Sequence, residues 1–239
     1  MKTVCGLIIV GLTLMFSGCK KESGLLGGGS DFGTFVDTRD NHSYKWAHIG
    51  DQVWMGENLA YLPYVNNFPS ESTTVPDYYV CDYVGNDIDE AMATVNYHVY
   101  GVLYNHGAAR IDACPPGWHL PSDKEWKTLE KYLGMSNSDA DATDTRSSGA
   151  VGGQIKEYGN TYWLNPNTGA INSSGFSARP AGFRDSDGGF YYTGRDAFFW
   201  TSTSYERDYW CRSVTYLGDG VYRNPHDGRT GFSIRCVKD

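Results

Sequence analysis

Residues 114–126 read CPPGWHLPSDKEW, and this stretch decides how the rest of the chain is read. As a metal site it offers only Cys114 and His119, fewer ligands than a zinc site needs. As a nucleophile loop it lacks a visible base. As punctuation for a fold every residue has a task. Pro115 and Pro116 stiffen an extended approach to Gly117. Trp118 is a large apolar anchor. Ser122 followed three residues later by Glu125 is a capping box, so a helix opens here. Trp126, Leu129 and Leu133 then recur at three- and four-residue spacing on one face. Gly134 supplies a left-handed C-terminal cap, which predicts a helix over about 122–133. Cys114, held at the approach, can bond a distant strand and close a long loop, worth about 4–5 kcal/mol in the chain-entropy account.

Short strands surround this helix. SYKWAHIGDQVWMGEN at 43–58 reads as a hairpin turning at Gly50-Asp51. AVGGQIKEY at about 150–158 reads as a second, short helix weakened by its glycines. Between the two helices, GMSNSDADATDTRSSGA is polar, acidic and without period, the composition of a solvated loop. From Gly175 onward aromatic strands alternate with glycine turns, as in GGFYYTG, FFWTSTS, DYWCRSVTYL and GVYRN, an antiparallel meander.

The N-terminal residues are of a different kind. Lys2 precedes an almost wholly apolar run from Val4 to Phe16, and FSGC ends at Cys19. That run is short for a membrane span and carries the flanks of a signal peptide. Small residues before a cysteine form a lipobox, so residues 1–18 are expected to be a lipoprotein signal peptide and Cys19 to be acylated. Residues 19–33, with KKESGLLGGGSDFG, follow as a flexible tether, and the domain is expected over 34–239. Lys20 after the acylated cysteine favours the outer membrane, with the domain at the cell surface and lipid as its only membrane contact. The formal charge of −8 speaks against a nucleic-acid partner, which requires a basic patch. Of six cysteines, Cys5 and Cys19 belong to this leader. Cys81, Cys114, Cys211 and Cys236 remain, an even number suited to an oxidising compartment and open to three pairings.

CPPGWHLPSDKEWKTLEKYLG, preceded by YGVLYNHGAA, strongly resembles the Fibrobacter succinogenes major paralogous domain family. YKWAHIGDQVWMGENL is similar to that family's opening hairpin. GFSARPAGFRDSDGGFYYTG, WTSTS and GFSIRCVKD are similar to its closing half, so the resemblance runs over about residues 34–239. It implies a C-type-lectin-like fold, an α+β domain of short twisted antiparallel strands, related in shape to the formylglycine-generating enzyme. It also implies a Cys114–Cys236 bridge, with Cys81–Cys211 as the second pair. It implies little chemistry, because fold alone does not license lectin activity.

The residues themselves nominate few chemical sites. HExxH, GxSxG, a P-loop and a dinucleotide glycine pattern are all missing from the sequence. The many carboxylates single out no pair for glycoside hydrolysis. Oxidase chemistry of the formylglycine type would need two neighbouring reactive cysteines, and Cys211 and Cys236 are far apart in sequence. No catalytic residue and no cofactor is therefore expected. Oxygen clusters suit calcium, and Asp185 and Asp187 in RDSDGG and Asp82, Asp87 and Asp89 in DYVGNDIDE are weak candidates. Neither stretch fits an EF-hand, and Asp-capped turns account for them, so no metal is expected. Aromatics crowd the last third. Most should fill the core, while Tyr205, Tyr216, Tyr222 and Asp227 are candidates for an exposed ligand-binding surface. The expected function is non-catalytic recognition of a glycan or a protein by an envelope-anchored module. The alternatives are a divergent carbohydrate-active enzyme using a carboxylate pair, or a structural envelope protein with no small ligand.

Overall fold

The computed structural model describes residues 31–68, 72–111 and 113–239. Asp31–Asp239 forms one compact unit. The expected signal peptide, Cys19 and nearly all of the tether lie outside the described residues.

The chain begins with β1 (Phe32–Val36), β2 (Ser43–Ile49) and β3 (Gln52–Met55), which pair in succession. The predicted hairpin is there: Ile49 faces Gln52 across a turn in which Gly50 takes φ 66°, a conformation that favours glycine. The middle of the chain carries β4 (Tyr78–Tyr79), α1 (Ile88–Met92), α2 (Val95–Tyr100), β5 (Leu103–Tyr104), α3 (His106–Arg110) and β6 (Trp118–His119). Then come α4 (Asp123–Tyr132), α5 (Asn137–Asp141), β7 (Asp144–Arg146), a 3₁₀ turn at Ser148–Ala150 and α6 (Val151–Ile155). The last third supplies β8 (Phe183–Arg184), β9 (Phe190–Tyr191), β10 (Asp196–Tyr205), β11 (Asp208–Thr215), β12 (Val221–His226) and β13 (Val237–Lys238). The fold is α+β with antiparallel pairing between its strands.

Two sheets dominate. One has the order β1-β2-β3-β13-β6 and the other β10-β11-β12-β7. Strand period two sends successive side chains to opposite faces, and here each face has its own core. Met55 and Trp200 join Tyr44, Tyr104 and Phe232 in one cluster. Their chain neighbours Trp54 and Phe199 join Trp126, Leu129 and Phe176 in the other.

The closing strand completes the first sheet. Val237 of β13 pairs with Trp54 on one side and His119 on the other. Cys114 and Cys236, separated by 122 residues, are disulfide-bonded beside this junction. The opening stretch therefore meets the end of the chain. On α4, Ser122 and Glu125 form the full reciprocal capping box, and Trp126 and Leu129 are wholly buried.

Glu130 lies on that same buried face, which the apolar spacing did not reveal. It receives Arg146 of β7 and Arg212 of β11, each at 2.6 Å. About two turns before it, Asp123 receives Arg212 and Arg223 of β12, each at 2.8 Å. Arg212 and Arg223 stand directly opposite across the β11–β12 ladder. Like charges so placed repel, and the carboxylates from α4 offset that repulsion. Burial raises the Asp123 carboxyl, but the Arg223 and Arg212 guanidiniums outweigh it and hold the group well below its usual range.

Three expectations need correction. The segment 134–150 is not a solvated loop: it folds into α5 and β7, with β7 at the edge of the second sheet and Arg146 drawn into the buried charge cluster. The second helix is shorter than 150–158, because Lys156 is extended at φ −68°, ψ 140° and ends α6. Cys81 and Cys211 do not pair and are free, buried thiols. Cys211 is interior to β11, with Trp200 and Asn224 as its cross-strand partners. Cys81 follows β4, and its Sγ lies 3.0 Å from the Thr193 hydroxyl. The helices α1, α2 and α3 were also missed, although Asp87, Thr94 and Asn105 cap them with their side chains.

Two stability outcomes follow from this architecture. Replacing Cys114 and Cys236 together by Ala should lower the unfolding free energy by about 2–5 kcal/mol in urea titrations. Asp123→Asn should destabilise by about 3–5 kcal/mol at neutral pH, because it leaves Arg223 buried without its carboxylate and Arg212 with Glu130 alone. Because the folded carboxyl is depressed, its stabilisation is present above the unfolded value of about 3.9 and lost as pH falls through and below it. The variant should accordingly lack part of the wild-type loss of stability as pH falls from about 5 to about 2.

Candidate functional site

A groove of about 830 Å³ runs along the outer end of the first sheet, within the range of ligand pockets. Its walls come from β1 and β2, the end of α4 and the loop 172–175. The β1–β2 register places Phe32 beside Ala47 and Thr34 beside Lys45 on one face. Phe32 is 75% exposed and Tyr132 is 66% exposed. Tyr132 can lie over the hairpin turn because Gly50 has no Cβ, which would sit 2.9 Å from its ring. The loop is held from within. The Asn172 carboxamide exchanges two hydrogen bonds with Ser177, and the Ser174 hydroxyl donates to the Gln154 carbonyl at 2.9 Å. Trp46 and His48, with ring centroids 5.4 Å apart, border the same groove. The lining thus offers aromatic faces, an ammonium group, amide and hydroxyl groups and one carboxylate, Asp31.

The residues nominated from the sequence do not form one site. Tyr205 is 44% exposed and stands where β10 turns into β11, with its ring 4.7 Å from that of Trp210. Tyr216 follows the opposite end of β11 and is half-buried against the second core. Tyr222 is half-buried in β12, between Ser213 and Thr145. Asp227 is forked by Arg229 at 2.5 and 3.0 Å, and both border a separate open depression with Asp208.

Four of the calcium candidates already accept hydrogen bonds from the protein. Asp187 accepts from the Gly189 amide at 2.7 Å and the Tyr191 hydroxyl at 2.8 Å. Asp185 accepts from the Ser186 amide at 2.7 Å. Asp87 caps α1, and Asp82 accepts from Asn96. Among the described residues no three His, Cys, Asp or Glu side chains gather in a metal-ligating group.

Several titratable groups that the sequence gave no reason to single out are buried and serve the frame. The Lys156 ammonium donates to the carbonyls of Thr168, Thr215 and Gly218 at 2.8, 2.9 and 2.8 Å, and burial pushes it down to about 8. Arg235 donates to Asn58 Oδ1 and to the carbonyls of Met55, Phe176 and Ser177. Burial, with Arg179 adding repulsion, pushes it down to about 9. His106 stacks on Tyr209 and places Nε2 3.0 Å from the Thr201 carbonyl. Burial pushes it down to about 4, so the ring is neutral.

The family model of the Fibrobacter succinogenes major domain matches residues 47–238. The chain belongs to this family. The Fibrobacter succinogenes major domain therefore begins inside β2 and ends inside β13, and it contains the charge cluster, the Cys114–Cys236 bridge, the second core and all of the first core's buried members except Tyr44. Its match excludes β1, so the groove combines residues of the Fibrobacter succinogenes major domain with a flanking strand. No curated protein and no solved structure matches the chain.

The two free cysteines make a direct check on this packing. Burial pushes both thiols up to about 12, so little thiolate forms at neutral pH. Peptide mapping after alkylation of the native protein should find Cys81 and Cys211 unmodified, and both modified once denaturant is present.

Proposed function

We propose that this chain is an envelope-anchored recognition module that binds a glycan through the groove beside β1 and does no chemistry on it. In this reading residues 1–18 are a lipoprotein signal peptide, Cys19 carries the acyl chains in the outer membrane, and residues 20–30 tether a C-type-lectin-like domain at the cell surface. The observation that carries the reading is the groove's lining. Exposed Phe32 and Tyr132 offer apolar faces to sugar C–H surfaces, while Lys45, Asn172 and Ser173 supply polar groups at the rim. A single lining carboxylate, Asp31, suits binding better than glycoside hydrolysis, which uses two carboxyl groups about 5–9.5 Å apart. The same aromatic surface also suits a protein partner, which is the second reading.

The test is a glycan panel probed with the intact protein in detergent, first with calcium and then with chelator. Saturable binding that survives chelation is the expected result. Phe32→Ala and Tyr132→Ala should each weaken it about 2–10-fold, from the 0.5–1.5 kcal/mol that an aromatic contact contributes. Binding abolished by chelator would move the site away from the groove and toward oxygen clusters. An empty panel would sink the glycan reading and leave the protein partner.

A further inference from the structure

A second surface, at the turn that leads into β10, is built around a cation. Arg195 sits in the turn between β9 and β10 and is exposed. Its guanidinium carbon lies 5.1 Å from the Tyr192 ring centroid and 5.6 Å from that of Tyr216, both within cation–π range. Among the described residues no carboxylate lies within ion-pair distance of it. Elsewhere on the same acidic chain, Arg39, Arg179 and Arg229 fork onto Asp37, Glu157 and Asp227.

The turn is fixed from several sides. Tyr192 takes φ 62°, an uncommon conformation for a bulky residue, held only where the surroundings impose it. Its carbonyl accepts from the amides of Arg195 and Asp196. Its ring lies 5.6 Å from that of Phe183. The Thr193 hydroxyl meets the Cys81 thiol at 3.0 Å. The Gly194 amide donates to the Pro180 carbonyl, and the Gly194 carbonyl accepts from the Leu164 amide. The Arg195 carbonyl accepts from the Tyr216 amide. The guanidinium is thus presented from a rigid support, and Leu164, whose amide binds the turn, is itself exposed.

We propose that Arg195, steadied by Tyr192 and Tyr216, is a receptor for the carboxylate of an acidic sugar, a uronic acid unit within an oligosaccharide. A planar guanidinium with free donors matches a carboxylate in bidentate fashion. A planar aromatic face beside it matches the C–H face of the ring that carries that carboxylate. Lysine would supply the charge without the fork. The inference rests on the glycan reading above and adds a substrate class and a second contact point to it.

The test uses oligogalacturonides and the same oligosaccharides with their carboxyl groups reduced to alcohols, titrated into the intact protein in detergent. Wild type should bind the acidic form about 10–100-fold more tightly, the range of a charged hydrogen-bonded pair. Arg195→Gln should erase that preference while leaving Tm and binding of the reduced form unchanged. Arg195→Lys should keep only part of the preference. Added salt should narrow it in wild type and not in Arg195→Gln. A preference that persists in Arg195→Gln, or reduced oligosaccharide bound as well as acidic by wild type, would overturn the inference and leave the glycan reading standing. Failure of both forms to bind would overturn the inference alone, because the glycan reading stands or falls on the whole panel.

Discussion

Two carboxylates on one helix organise this domain. Glu130 and Asp123 project from α4 toward the second sheet, where β7, β11 and β12 each contribute a guanidinium. A buried ion cluster of this kind adds little net stability over an apolar core, but removing one member is costly because the others remain buried and charged. Its value here is positional. Arg212 reaches both carboxylates, so the helix cannot shift along the sheet without breaking bonds at both ends of its inner face. Arg146 brings the segment after α4 back as an edge strand. The capping box that starts α4 and the charges that seat it are therefore parts of one arrangement.

Loops in this fold are tied by cations as well. Among the described residues no carboxylate lies in hydrogen-bonding range of Lys156 or Arg235, and each takes several main-chain carbonyls instead. A buried loop carbonyl without a partner is unfavourable, and one long cationic side chain satisfies three of them at once. This explains how a domain with short helices and two-residue strands keeps its connections in place. It also fixes the walls of the groove, since Arg235 binds Phe176 and Ser177 at the foot of the loop 172–175.

Sequence patterns reached the apolar part of this design and stopped at the charged part. Ser122, Glu125, Trp126 and Leu129 announce α4 because capping and burial follow known spacings. Gly50 announces the hairpin turn because few other residues tolerate its backbone. Arg146, Arg212, Arg223 and Glu130 announce nothing, since charged residues are expected outside and their pairing depends on strands far apart in sequence. That is why 134–150 read as solvent-exposed. The helices α1, α2 and α3 each have a capping residue but span six residues or fewer, too short for an apolar period to emerge. An even cysteine count suggested two bridges, but counting does not place thiols, and Cys81 and Cys211 settled in separate packing. The groove was invisible for a similar reason: Phe32, Tyr132 and the loop 172–175 meet only in three dimensions. The candidates in the last third were chosen by aromatic density, which marks the core as readily as the surface.

The position of β13 has a temporal consequence. It occupies an inner place in the first sheet, between β3 and β6, yet it is made long after β3. Trp54 must wait for Val237 across most of the chain, which at synthesis rates of about 5–20 residues/s means tens of seconds. Until then β3 presents an unpaired edge, and both cores lack Ile234 or Val237. Such non-local pairing makes folding slow and all-or-none. The domain cannot lock before β13 has emerged, so a chain with this topology stays threadable through a narrow passage up to the moment that strand arrives.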